Sequence, residues 1–125
     1  TILSNEGAAV YNYKTLDPDK CEFIAVAPVE ELPNGERLFV EIDNETIVVF
    51  NIGGEYFAIA DVCSHDDGPL GDGELDGYVI TCPRHGATFD VRTGKVLSLP
   101  AIVDIPAYPT RVQDGQIEVG LPLKE

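Results

Sequence analysis

A length of 125 residues fits a single domain of the common size, about 100–150 residues, and leaves little room for a second independent core. With 22 acidic side chains against 8 basic ones and a formal charge of −14, the chain lacks the basic track that nucleic acid or an anionic membrane surface requires. Its most apolar stretches, "FIAVAPV" and "TIVVF", are strand-sized, short of the roughly 18 residues of a membrane helix. The start "TILSNEGAAVYNYK" has no basic-then-apolar secretory pattern, so a soluble, cytoplasmic protein is expected.

In chain order, residues 1–20 are weakly patterned and carry the turn signal "LDPD" at Asp17 and Pro18, which reads as an N-terminal arm. The domain proper is expected over residues 21–125. "EFIAVA" is a strand, and "PVEELPNGE" a connection with one helical turn at most. "RLFVEI", a turn at "DN", "ETIVVFNI", a turn at Gly53–Gly54 and "EYFAIA" then read as consecutive hairpins. Beyond a Gly- and Asp-rich stretch, "TFDVRTGKVL" holds a Thr-Gly turn, and "AIVDIPAYPTRV" and "QIEVGL" flank the strong hairpin signal Asp114–Gly115. Pro106 and Pro109 each remove a ladder donor, so their strand is expected at a sheet edge or with a bulge. No amphipathic helix of ten residues is visible. Many short, evenly spaced strands predict a small all-β sandwich or barrel.

The stretch "CSHDDGPLGDGELDGYVITCPRHG" contains two of the three cysteines and both histidines of the chain. It is built of two half-motifs, Cys63-Ser64-His65 and Cys82-Pro83-Arg84-His85, each supplying one thiolate and one imidazole. Asp67, Gly68 and Pro69 follow the first and Gly86 the second, so both lie on loops whose backbone N–H groups can face a bulky inorganic group. Chance co-location of buried cysteines and hydrogen-bonded histidines is one reading. Structural zinc is another, although zinc ligands usually come as Cys-x₂₋₄-Cys and His-x₃₋₅-His pairs and both pairs here are mixed. A [2Fe–2S] cluster in which two histidines replace two cysteines on one iron is the third. Zinc protein would be colourless and EPR-silent. Cys21 stands outside the motif, as a lone thiol at the start of the first strand.

Cys-x-His, sixteen residues, Cys-x-x-His resembles the Rieske motif, and "CPRHGATFDVRTGKV" is similar to the second loop of the soluble Rieske ferredoxins that serve bacterial ring-hydroxylating dioxygenases. The similarity spans roughly residues 22–120, including "SLPA" and "YPTRVQDGQIEV". It implies a small antiparallel β-sandwich with a cluster-binding subdomain of two hairpin loops, and one Rieske-type [2Fe–2S] cluster per chain. By the same resemblance Cys63 and Cys82 ligate the inner iron and His65 and His85 the outer one. Leu70 would cover the cluster from the first loop, with Leu99 and Pro100 in a third loop that closes over it. Plain core packing for Leu70 and a simple turn for Pro100 remain open.

Exchanging two thiolates for neutral imidazoles removes two negative charges and raises the potential to roughly −150 to +300 mV, against about −400 mV for four-cysteine plant-type clusters. High-potential relatives carry a serine and a tyrosine where this chain has Ala87 and Phe89, and a loop disulfide at positions corresponding to Gly68 and Arg84. Without these the low end of the range is expected. Asp61, Asp66, Asp67, Asp72, Glu74 and Asp76 form an acidic stretch beside the site, either simply solvated or a docking face for basic partners.

A Rieske oxygenase also needs a mononuclear iron held by two histidines and a carboxylate, and both histidines here are committed to the cluster. The expectation is therefore a monomeric one-electron carrier, not itself an enzyme. It would pass electrons from an NAD(P)H-dependent flavin reductase to a terminal oxygenase, both docked near the His65/His85 tip. The alternative is a permanent Rieske subunit of a larger oxidoreductase, such as the small subunit of assimilatory nitrite reductase.

Overall fold

The structure is a computed structural model that describes residues 18–63 and 68–123. After a 3₁₀ turn at Pro18–Lys20 the strands are β1 (Cys21–Pro28), β2 (Arg37–Ile42), β3 (Glu45–Ile52), β4 (Glu55–Ala60), β5 (Glu74–Asp76), β6 (Val79–Thr81), β7 (Thr88–Asp90), β8 (Ala107–Tyr108), β9 (Thr110–Gln113) and β10 (Gln116–Pro122). They form three antiparallel sheets, ordered β1-β10-β9, β2-β3-β4-β8 and β5-β6-β7. The expected N-terminal arm lies almost wholly outside the described residues, and the first strand starts at Cys21.

The layer order is written in β3. Its five residues Ile47–Asn51 are all buried, and because successive side chains point to opposite faces they feed two different cores. Ile47 and Val49 join Ala58, Ala60, Ile117, Val119 and Leu121 in the core between the four-stranded sheet and β1-β10-β9. Val48 and Phe50 join Ile59, Cys63, Leu70, Ile80, Cys82 and Phe89 in a second core, against the small sheet and its loops. The continuous run "TIVVF" is thus a strand covered on both sides, unlike the alternating "RLFVEI" of β2 at the sheet edge.

Turn chemistry places the hairpins. Asp43 (φ 52°) and Asn44 (φ 69°), and Asp114 (φ 55°) and Gly115 (φ 76°), take the left-handed conformations that a tight two-residue hairpin turn needs. Long-range pairing places the remaining strands. β1 does not pair with β2, because the connection through the 3₁₀ turn Val29–Glu31 is too long for a hairpin; it pairs with β10 instead, with a bulge between Ala25 and Ala27. "AIVDIPAYPTRV" is also not one strand. It is irregular until Ala107, then crosses from one sheet to another at Pro109, so the two prolines flank β8 at a sheet edge.

Asn51 is the one buried polar residue among the described residues. Its Nδ2 donates to the Leu32 carbonyl (2.8 Å) and its Oδ1 accepts from Gly54 N–H (2.9 Å), tying the connection before β2 to the β3–β4 turn. Asn51→Ala is expected to cost about 1–3 kcal/mol, because it leaves the Leu32 carbonyl unsatisfied in a buried setting. Asn51→Asp should not recover it, since a carboxylate cannot donate to Leu32; urea denaturation of the two variants checks this.

Asp90, at the end of β7, accepts from Arg92 N–H (2.8 Å), Nε (3.0 Å) and Nη2 (2.9 Å), and the Arg92 guanidinium lies 4.3 Å from the Tyr78 ring centroid. The side-chain bond from Arg92, acting against desolvation, holds the Asp90 carboxyl below its ordinary pKa. The stabilisation is therefore complete above the ordinary carboxylate range, about pH 4, and is lost as the pH falls below it. In thermal melts the gap between the protein and Asp90→Asn should be widest near neutrality and narrow as the pH falls below about 4.

Candidate metal centre

Two loops leave strand ends with the same closure. The first follows β4: Asp61 N–H donates to Thr46 O (2.9 Å), and Cys63, fully buried, donates its N–H to Gly68 O (2.7 Å). The second follows β6 directly: Cys82 N–H donates to Ala87 O (2.7 Å) and Gly86 N–H returns to Cys82 O (3.1 Å). In each, a cysteine amide bonds the carbonyl five residues further on and so cinches the loop at its base. Gly86 has φ +81°, a conformation that costs a side-chain-bearing residue strain.

Both thiols lie in the same core, free of disulfide bonding, packed with Leu70, Ala87 and Phe89. Pro83, Arg84, His85 and Gly86 are exposed at the tip of the second loop. His65 lies outside the described residues, as do Asp66 and Asp67. Among the described residues no three His, Cys, Asp or Glu side chains gather closely enough to hold a single metal ion. A binuclear cluster needs something different, a sulfur pair on one iron and a nitrogen pair on the other. A buried cysteine pair with an exposed histidine beyond it fits that division.

The third loop is stitched to the second. Leu97 N–H donates to Thr88 O (2.8 Å), and Ser98 Oγ accepts from Thr88 N–H (3.1 Å) and pairs with Thr88 Oγ1 (2.7 Å), while Val96 N–H bonds Asp104 Oδ1 (2.8 Å) at the loop's base. Pro100 is half-buried there and Ala101 buried, whereas Leu99 (74% exposed), Ile102 (77%) and Val103 (52%) face outward. Leu70 is fully buried in the core that holds both cysteines. Ala87 and Phe89 are buried in it as well, and neither offers a hydroxyl.

Asp61 is engaged within the fold and is not simply solvated. It is half-buried, and its Oδ1 accepts from Leu70 N–H (2.9 Å) and Gly71 N–H, so it holds the far end of the first loop against its start. Exposed carboxylates on that side are Asp72, Glu74 and Asp76. Sequence reasoning missed Arg37, which opens β2 and donates from Nη1 to the carbonyls of Gly71 and Gly73 (2.7 Å to the latter), its guanidinium 5.2 Å from the Phe50 ring centroid. Arg37 is the only lysine or arginine between Lys20 and Arg84, and that isolation was the signal available. Gly73 was missed too: a Cβ there would fall 1.8 Å from Thr81 O, so this glycine is required by close backbone approach.

Residues 22–109 match the Rieske [2Fe-2S] domain. The 3-phenylpropionate/cinnamic acid dioxygenase ferredoxin subunit of Escherichia coli strain K12 is 41% identical over 100 residues, covering 79% of this chain and 93% of that protein. Among solved structures, the ferredoxin of carbazole 1,9a-dioxygenase from Nocardioides aromaticivorans IC177 is 31% identical with a TM-score of 0.73, covering 78% of this chain and 95% of that one. A ferredoxin of Sphingomonas yanoikuyae B1 is also 31% identical with a TM-score of 0.73, covering 81% and 100%. With buried cysteines at the bases of two matched loops and that likeness over most of its length, the chain belongs to the Rieske [2Fe–2S] domain family and is a Rieske-type electron carrier.

Proposed function

We propose that this electron carrier is the ferredoxin of a ring-hydroxylating dioxygenase system, taking one electron from an NAD(P)H-dependent flavin reductase and delivering it to a terminal oxygenase. Cys63, Cys82, His65 and His85 are the ligands, sulfur on the inner side and imidazole on the outer. The observation that carries the reading is the split in burial: both thiols are sealed in the core, whereas His85 is exposed at a loop tip. When bound, the cluster supplies a one-electron couple above the range of four-thiolate plant-type clusters. The exposed imidazole is the part of the ligand set that a docked partner can reach. Buried Ala87 and Phe89 offer no hydroxyl to the sulfurs, which supports a potential at the low end of the Rieske range.

With both histidines of the sequence used as ligands, none is left for a mononuclear oxygen-activating iron, which supports a carrier role. A ferredoxin in complex with reduced oxygenase is known for carbazole 1,9a-dioxygenase, and that ferredoxin chain is 30% identical to this one with a TM-score of 0.75. This favours a separate carrier over a permanent subunit of a larger oxidoreductase. No helix among the described residues is long and apolar enough to cross a membrane.

Cluster-loaded protein should stay oxidised with NADH alone, become reduced when the reductase of a dioxygenase system is added, and be reoxidised by its terminal oxygenase. Fixed-ratio co-purification with a much larger chain would contradict the reading. His85→Ser should abolish the Rieske EPR signal of dithionite-reduced protein, and an unchanged spectrum would remove His85 from the ligand set. Docking through the acidic side should slow severalfold as ionic strength rises from about 0.01 to 0.1 M, over which the screening length contracts from about 30 to 10 Å. Stopped-flow transfer rates to the oxygenase report this.

A further inference from the structure

We infer that Arg37 and Asp61 are positioning residues which together set the separation of the two cysteine-bearing loops, Arg37 acting from a strand that carries no ligand. The inference rests on the ligand set proposed above.

Four contacts carry it. Asp61 Oδ1 takes the N–H groups of Leu70 and Gly71, and Arg37 Nη1 gives to the carbonyls of Gly71 and Gly73, so Gly71 is held through both its peptide groups by side chains of opposite charge. There is no slack around it: a Cβ on Gly71 would lie 2.5 Å from Phe39 and 3.0 Å from Asp61 Oδ1. Gly73 N–H bonds back to Leu70 O (3.0 Å), which makes the segment a closed turn. Finally, Gly73 rests on the carbonyl of Thr81, and Glu74 opposite Thr81 begins the β5–β6 ladder. Thr81 immediately precedes Cys82.

A continuous path therefore runs from β2 through Arg37 to Gly71 and Gly73, across to Thr81, and into Cys82. The far end of the first loop is seated on the start of the second. Moving Leu70–Gly73 outward displaces β5 from β6 or opens the Gly73–Thr81 contact, and either shift moves Cys82 relative to Cys63. Charge-assisted bonds to backbone carbonyls are among the stronger ones a side chain makes, so Arg37 is well placed to resist it. A competing role is simple packing of the guanidinium over Phe50, which would affect β2 and β3 but not the second loop.

The test is hydrogen exchange by mass spectrometry with EPR on cluster-loaded Arg37→Gln, Arg37→Lys and unmodified protein. For Arg37→Gln, exchange should rise about tenfold both in residues 70–73 and in residues 82–87, which Arg37 does not touch, as expected for losing a charge-assisted bond. The EPR lines should broaden, and iron release to a chelator should quicken by a similar factor. Arg37→Lys, which keeps the charge on a different reach, should fall between the two, and serves alone should Arg37→Gln not fold. Faster exchange confined to residues 70–73, or to β2 and β3, with an unchanged EPR line shape would overturn the inference. Absence of a Rieske signal from the unmodified protein would instead overturn the ligand set, and the exchange comparison between the loops would still decide the coupling.

Discussion

A strand with a core on each side constrains everything around it. β3 can neither slip nor turn over, because a shift of one residue would exchange the side chains of the sandwich core for those of the cluster-side core. Phe50, fully buried on the cluster side, shows what is at stake: truncating such a ring costs about 3–5 kcal/mol. With β3 fixed, β4 is fixed by six consecutive pairs, Ile47–Ala60 to Ile52–Glu55, and Cys63 follows only three residues later. Cys63 is therefore indexed to a strand with five consecutive buried residues, although it lies at the other end of the hairpin from the β3–β4 turn.

The small sheet does for Cys82 what β4 does for Cys63, with far less material. β5, β6 and β7 have three residues each, and three-residue strands do not hold themselves together. They are supported by burial of Ile80, Phe89 and Val91 in the shared core, by the Tyr78–Phe57 edge contact at 5.7 Å, and by the Gly73–Thr81 approach. Long-range side-chain and backbone contacts substitute for sheet length.

Much of this was legible in the sequence wherever the cause was local. Asp43–Asn44, Gly53–Gly54 and Asp114–Gly115 marked their turns because few other residue pairs tolerate the backbone required, and the strands of "RLFVEI", "ETIVVFNI" and "EYFAIA" fell where the pattern put them. The paired Cys and His spacing pointed to two loops, and both bring a buried cysteine into one core. The partner of β1 was not legible, since its pairing with β10 joins the two ends of the described chain and leaves no local signature. Asp61 looked like one more acid in an acidic run, because nothing in the sequence says that its oxygen faces two amides nine and ten residues away. Arg37 carried only the signal of its isolation among acidic and apolar residues, since its carbonyl partners lie 34 and 36 residues away.

The outward face of the third loop has a colloidal consequence. Leu99, Ile102 and Val103 stand exposed in a seven-residue stretch, 97–103, that contains no ionisable group, on a chain whose formal charge is −14. Two copies approaching through this sticky lobe must bring like-charged bodies together, and at low salt that long-range repulsion keeps them apart. The surplus of acid thus opposes self-association through this surface at low salt and favours the approach of an oppositely charged body.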